Sequence, residues 1–347
     1  MKAVYKETEG AFTARLTERQ IPALTERDNV LIRVHACATC GLDMHIWQGK
    51  LRDFRPPVIM GHEFVGTIEE IKGDGAGFAA GERVVCQPHL YACGRCEVCG
   101  LGYPQFCRSR RTLGIQRDGA MAEYIAVPAG YLHRVPAVLP DEIACLSEPF
   151  TISVSDVLDR AGLAPGETVF ITGAGQVALL ALVAARCGGA SRIFLSGVES
   201  DAALRLPAAA ELGADLVINS SRGDAAEAVL NATHGRGVDM VVEASGAPEG
   251  ISAGIRALRP GGRMTVLGAT KRPAAAVPWD MALGKAVTFC FNMMSDYTGM
   301  DRALALLAAF PDDLSPLITH RCLLKDWEKC FAGLRDDRGI KGIITIE

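Results

Sequence analysis

The sequence predicts an α/β protein in which a β-rich domain is interrupted by a doubly wound parallel sheet. Short strand-like runs fill the first 150 residues, and from about residue 155 strands alternate with helices of ten to fifteen residues. The size agrees, since 347 residues suffice for about two ordinary domains. Apolar residues make up 49% of the chain, enough for a sizeable core.

The runs "NVLIRVHACA", "EFVGTIEEI", "ERVVCQP" and "AEYIAVPA" are short, apolar and bounded by Gly, Pro or charged turns, which is how strands read. The pattern then changes. "ETVFITGAG" ends in glycines and leads into the alanine-rich, helix-like "QVALLALVAARCGGA". After it come the strand "SRIFLSG", the helical "DAALRLPAAAELGA", the strand "DLVIN", a helix, "VDMVVEASG", another helix and "GRMTVLGA". After about 290 the text is mixed again and closes on the strand-like "GIKGIITIE". There is no internal repeat or low-complexity linker. The expected domains are 1–152 with 291–347, and 153–290.

The charge balance excludes several functions. A net charge of -4 offers no basic field to nucleic acid or an anionic membrane. No apolar run reaches the ~18 residues of a membrane span. The opening "MKAVYKETEG" is polar where a signal peptide would be apolar, so a cytoplasmic protein with a small-molecule partner is expected.

Twelve cysteines are many for a reducing compartment. Cys145, Cys187, Cys290, Cys322 and Cys330 lie in or beside apolar stretches and read as small core residues. Cys93, Cys96, Cys99 and Cys107 differ, because "HLYACGRCEVCGLGYPQFC" packs them into one lobe, at about 88–111. In the cytosol such density more often means metal than disulfide. Four thiolates complete a tetrahedral zinc shell, so a structural zinc is expected, with redox or disulfide use as the alternatives. A nucleic-acid finger is disfavoured, since only Arg95, Arg108, Arg110 and Arg111 flank the cluster.

"FITGAGQVALL" sets Gly173, Gly175 and Ala178 in the G-x-G-x-x-G/A pattern between a strand and a helix opened by Gln176 and Val177. The first glycine makes the turn, the second lets backbone approach a pyrophosphate, and the third small residue lets helix and strand pack. NAD or NADP is the expected cofactor. Where the ribose-gripping acid usually sits, the chain has Gly197, and Glu199 follows in "LSGVESD". An acid there favours NAD; the glycine leaves room for a 2′-phosphate, which Arg205 could reach. NAD is the expected preference.

A second set of ligand types lies early in the chain. "CATCGLDMHIWQG" and "IMGHEFVG" place Cys40, His62 and Glu63 at Gly-flanked turns, and "CLSEPF" places Glu148 just before the alternating region. A catalytic zinc keeps three protein ligands and one open position, which this set can supply.

Together these motifs resemble the zinc-dependent medium-chain dehydrogenase/reductase superfamily, in its polyol and threonine dehydrogenase branch, over nearly the whole length. "CGLDMH" resembles the catalytic-zinc segment, "GHEFVG" the second ligand pair, the four-cysteine lobe the structural zinc, and "TGAGQVALL" and "VVEASGAPE" the nucleotide-domain turns. "LSPLITHR" resembles a C-terminal segment of the branch. The resemblance implies a GroES-like catalytic domain with an inserted Rossmann domain. It implies Cys40 and His62 as zinc ligands, Glu63 as a ligand or alternate ligand, and Glu148 as a ligand or the holder of the metal's water. It puts nicotinamide-side contacts near Leu267, Gly268, Ala269, Phe291 and Asn292. Dimers or tetramers are common in the family.

One position departs from the family. The second residue after the zinc cysteine is usually Ser or Thr, whose hydroxyl relays the substrate proton; here it is Leu42. His45 matches the relay histidine, so the proton is expected to pass through water, Glu63 or Glu148. The expected reaction is reversible oxidation of a secondary alcohol, from a polyol, sugar-derived or amino-alcohol substrate, with two zinc ions per chain. Trp47, Gln48, Arg117 and Glu148 are candidate substrate contacts. The rival readings are a zinc-free double-bond reductase of the same fold and a non-catalytic dinucleotide-binding protein.

Overall fold

The computed structural model describes residues 1–51, 54–294, 297–310, 313–335 and 339–347. The chain divides into two compact units, one of residues 1–148, 295–309 and 318–347, the other of 149–294 and 310–317.

The first unit is built on a seven-stranded sheet whose central strand is Val30–Ala38. That strand is buried along most of its length because it pairs antiparallel with Glu63–Ile71 and with both Tyr124–Val127 and Lys341–Thr345. Ala38 faces Glu63 in one ladder and Ile343 in the other, so strands from opposite ends of the chain meet at the end that leads to Cys40. Val30, Ile32, Val34, Phe64 and Ile68 form much of its core with Trp47, Trp327 and Phe331. Truncating one of the large aliphatic members to Ala costs about 2–5 kcal/mol at such density.

The second unit is the expected doubly wound fold. Its six strands are all parallel and run, numbered by appearance, third, second, first, fourth, fifth, sixth: Leu216–Asn219, Arg192–Gly197, Thr168–Thr172, Val238–Glu243, Leu258–Val266 and Thr288–Phe291. The order reverses beside Thr168–Thr172, the point at which such sheets bind ligands at their carboxyl ends. The helix Gln176–Cys187 buries every residue from Ala178 to Ala185, which its small alanines permit.

One helix is shorter than its sequence suggests. "DAALRLPAAAELGA" is helical only over Arg205–Glu211. Asp201 turns its carboxylate back onto the Val198 N–H (2.9 Å), so a 3₁₀ turn, Glu199–Asp201, comes first. Pro207 then sits in the helix's first turn, where a missing N–H is tolerated. Among the described residues, no helix is long and apolar enough to cross a membrane.

Candidate active site and metal centres

Cys40 is the residue that caps the short helix Gly41–Trp47. Its Sγ accepts from the Leu42 N–H (3.5 Å), while Asp43, three positions on, accepts from the Cys40 N–H (2.9 Å). This reciprocal cap holds the thiol at the end of the Val30–Ala38 strand. There Cys40, His62 and Glu63 bring one ligand atom each within 4.8 Å of one another. His62 is 4% exposed and Glu63 and Asp43 are wholly buried. His62 Nδ1 lies 3.6 Å from Asp43 Oδ1, an ion-pair distance just beyond a hydrogen bond.

The electrostatics are those of a crowded buried site. Burial pushes the Cys40 thiol up and Glu63 adds to it, while His62 opposes. Burial alone would lower His62, but Asp43 and Cys40 outweigh it and hold the imidazole well above its ordinary value. Glu148, in the helix Ser147–Val154, is 7% exposed; burial, then Glu63, raises its carboxyl. Lys341 is 1% exposed and ion-paired with Glu63. Burial would lower the Lys341 ammonium, but Glu63 and Cys40 hold it above its ordinary value.

These residues fit a zinc ion. A thiol, an imidazole and a carboxylate converge, and the buried Glu63 Oε1 has no hydrogen-bond partner among the described residues. A buried acceptor with no donor is costly, and a cation would satisfy it.

The four-cysteine lobe is a second such site. The ligand atoms of Cys93, Cys96, Cys99 and Cys107 all lie within 4.8 Å of one another. Cys96 Sγ is 3.4 Å from Cys99 Sγ and 3.8 Å from Cys107 Sγ. A disulfide needs about 2.05 Å, whereas thiolates about 2.3 Å from a shared tetrahedral zinc stand roughly 3.8 Å apart. All four are free thiols. Backbone N–H groups favour the ionised forms: that of Cys93, at 3.3 Å, holds Cys107 low, and that of Arg95 lowers Cys93.

In the second unit, Gly173 has φ of 101°, and a Cβ there would stand 2.9 Å from Ser245 N. Only glycine makes this turn without strain. Gly175 caps the following helix, and a Cβ on it would meet nothing within 4 Å, so there is open space beside the helix N-terminus at this residue. Ala178 is fully buried. A side chain on Gly268 would collide with Gly246 N at 2.2 Å, so the fifth strand's exit packs directly on the fourth's. Leu267 and Gly268 both donate to the Glu243 carbonyl. Phe291 is 63% exposed at the end of the sixth strand, and Asn292 follows it.

Three residues at the end of the second strand have neighbours that the sequence does not show. The space beside Gly197 holds Asp201 Oδ2, Leu206 and Ala174, each within 2.9 Å of where a Cβ would be, so this glycine serves local packing. Arg205 is engaged with Asp201 (3.1 Å). Glu199 is gripped by Arg222 (2.5 and 2.8 Å) and Asn219 (2.8 Å), and Arg222 holds its carboxyl below the usual range.

Near the first cluster, Leu42 is partly buried against the apolar core, and His45 lies half-buried in the last turn of its helix. Trp47 packs edge-on against Phe12, Trp327 and Phe331 as a core aromatic. Gln48 caps the same helix. Arg117 is committed to Asp28 (2.9 Å) and the Ala126 carbonyl. The sequence reading missed Asp43, Lys341 and Glu243. Asp43 carried a signal, an acid three positions after a capping residue, and Lys341 carried another, a lone cation at the head of an apolar strand.

Comparison with known proteins agrees with this geometry. Residues 26–137 match the family model "Alcohol dehydrogenase GroES-like domain", and residues 177–309 match "Zinc-binding dehydrogenase". An L-threonine 3-dehydrogenase of Streptomyces coelicolor is 36% identical over 99% of both chains. A crystal structure from Sinorhizobium meliloti, described as a zinc-binding dehydrogenase bound to NADP, superposes with a TM-score of 0.90 at 29% identity, over 99% of this chain and 98% of that one. The alcohol dehydrogenase of Thermus sp. ATN1 superposes with a TM-score of 0.88 at 29% identity over the whole of both.

Proposed function

Since this chain belongs to the zinc-dependent medium-chain alcohol dehydrogenase family, in its polyol and threonine dehydrogenase branch, we propose that it interconverts a secondary alcohol and its ketone on a polyol, sugar-derived or amino-alcohol substrate. The observation that carries the reading is the convergence of Cys40, His62 and Glu63 within 4.8 Å, in a buried site whose Glu63 and His62 bear on the Glu148 carboxyl.

Cys40 and His62 would hold the zinc, with Glu63 or Glu148 as a further oxygen donor. Bound there, zinc would supply Lewis acidity toward an alcohol oxygen, with NAD(P) as the hydride acceptor of the reaction. The chain's own part is positioning and proton handling. Asp43 faces His62 Nδ1, which leaves Nε2 as the ligand nitrogen and fixes the ring, as carboxylate partners of ligating histidines do. Leu42 supplies apolar surface and no hydroxyl, so the substrate proton reaches His45 through water or is taken by a carboxylate. Glu148, raised by burial, is suited to accept it near neutral pH. Gly175 and the helix N–H groups behind it suit the pyrophosphate, and Leu267, Gly268, Ala269, Phe291 and Asn292 suit the nicotinamide side.

NAD is the favoured cofactor, because Glu199 keeps an ionised carboxylate just beyond the second strand. The four-cysteine lobe suits a structural zinc, since a closed thiolate shell leaves no substrate position. We read the protein as a cytoplasmic homodimer or homotetramer. A panel of polyols, amino alcohols and hydroxy acids, followed by cofactor absorbance with both NAD and NADP, tests the reading. Turnover of none of them by zinc-replete protein overturns it.

A further inference from the structure

Glu243 closes the fourth strand of the second unit, is wholly buried, and has no part in the mechanism above. Its register partner is Thr172, the last residue of the first strand, so the two flank the point at which the strand order reverses. Glu243 Oε1 accepts from the Ser245 N–H (2.9 Å), the Ser245 hydroxyl, the Gly246 N–H (3.0 Å) and the Thr172 hydroxyl (3.4 Å). Oε2 takes the longer half of the shared Gly246 bond, at 3.3 Å. Three turns meet on this carboxylate. The turn after the fourth strand donates to it, and Gly173, the first glycine of the dinucleotide motif, packs on that turn. The exit of the fifth strand is as close, since a Cβ on Gly268 would stand 2.6 Å from Glu243 Oε2.

Burial pushes the Glu243 carboxyl up, and the donors of Ser245, Gly246 and Thr172 oppose it; no cation of the described residues is among the causes. Both oxygens only accept, which is the role of an ionised carboxylate. A glutamine oxygen would accept the same four bonds as Oε1 at a much smaller desolvation cost. Making the turns therefore accounts for the acceptor and not for the charge. A dinucleotide lies across such a sheet at this reversal, one mononucleotide to each half. With the adenosine ribose at the end of the second strand, the nicotinamide half falls to the fourth, fifth and sixth. An oxidised nicotinamide ring carries a positive charge and a reduced one carries none. Resting on the dehydrogenase reading above, we propose that the Glu243 carboxylate is a fixed negative charge that favours binding of the oxidised over the reduced cofactor.

The test titrates zinc-replete protein with the oxidised cofactor, the reduced cofactor and the matching ADP-ribose, which lacks the ring, in whichever of the NAD or NADP series the wild type binds. A unit charge about 10 Å away is worth a factor of roughly 2 to 16 between effective dielectrics of about 80 and 20. Glu243→Gln, which keeps the shape and removes the charge, should lower the ratio of oxidised to reduced affinity by about three- to tenfold, with ADP-ribose affinity unchanged. Glu243→Asp keeps the charge and loosens the turns. It should hold the ratio within about twofold of the wild type even where all three ligands bind more weakly. A merely structural role weakens the three ligands together and leaves the ratio alone. An unchanged ratio in Glu243→Gln overturns the proposal, and so does a threefold or larger fall in Glu243→Asp, which decides the matter where the glutamine variant does not fold. Wild-type protein that binds neither dinucleotide overturns the dehydrogenase reading itself.

Discussion

Lys341 buries its ammonium against the carboxylate of Glu63, with side-chain exposures of 1% and 0%. The pairing is a product of register: Lys341–Thr345 and Glu63–Ile71 flank the same central strand, and their first residues lie at the same end of it. Removing one partner of a buried pair leaves an uncompensated charge. Lys341→Ala is therefore expected to destabilise the protein by about 3–5 kcal/mol, measured by urea unfolding. Adding Glu63→Gln should recover a substantial part of that loss, and strict additivity in the double-mutant cycle would refute the coupling.

Metal analysis of purified protein should find two zinc ions per chain. Cys40→Ser should lose one of them and lower alcohol-dependent cofactor reduction by at least about a hundredfold. Cys99→Ser should lose the other and lower the thermal midpoint, with a smaller effect on turnover per folded molecule. Full activity in a Cys40→Ser protein that has lost its metal would remove the site from the chemistry.

Cofactor preference should respond to the clamp on Glu199. Arg222 and Asn219 hold that carboxylate, and Arg222 is half of a largely exposed pair. Glu199→Ala frees the guanidinium and removes the negative charge, so the ratio of kcat/KM for NADP to that for NAD should rise by roughly three- to tenfold. An unchanged ratio in steady-state kinetics would show that the end of the second strand does not read the 2′ position.

Asp239 predicts an acid limb in stability. Burial would raise its carboxyl, but Arg236 (2.6 Å), Arg259 (2.7 Å) and the Thr168 N–H and hydroxyl (2.9 and 2.8 Å) outweigh it and hold it well below the usual range. A group depressed in the folded state adds stability above its unfolded value near 4 and loses it as pH falls below that. The urea midpoint should therefore decline below about pH 4. Asp239→Asn should flatten that limb while costing about 1–3 kcal/mol at neutral pH.

The linear chain determined the local chemistry. The glycine spacing of "TGAGQ" could be read because a tight turn onto a helix N-terminus is a short-range demand, met within six residues. The four clustered cysteines were legible for the same reason, and the alternation of apolar runs marked the doubly wound sheet. Only tertiary structure decided which distant groups share a volume. The clamp on Glu199 was invisible because nothing nearby in sequence reveals Arg222 on the next βα connection. The return of Asp201, Leu206 and Ala174 onto Gly197 is likewise a packing event that the sequence does not show. Lys341 had no visible partner until strand register placed it on Glu63. Contacts of that kind follow from hydrogen-bonded register and three-dimensional packing, which short-range spacing does not encode.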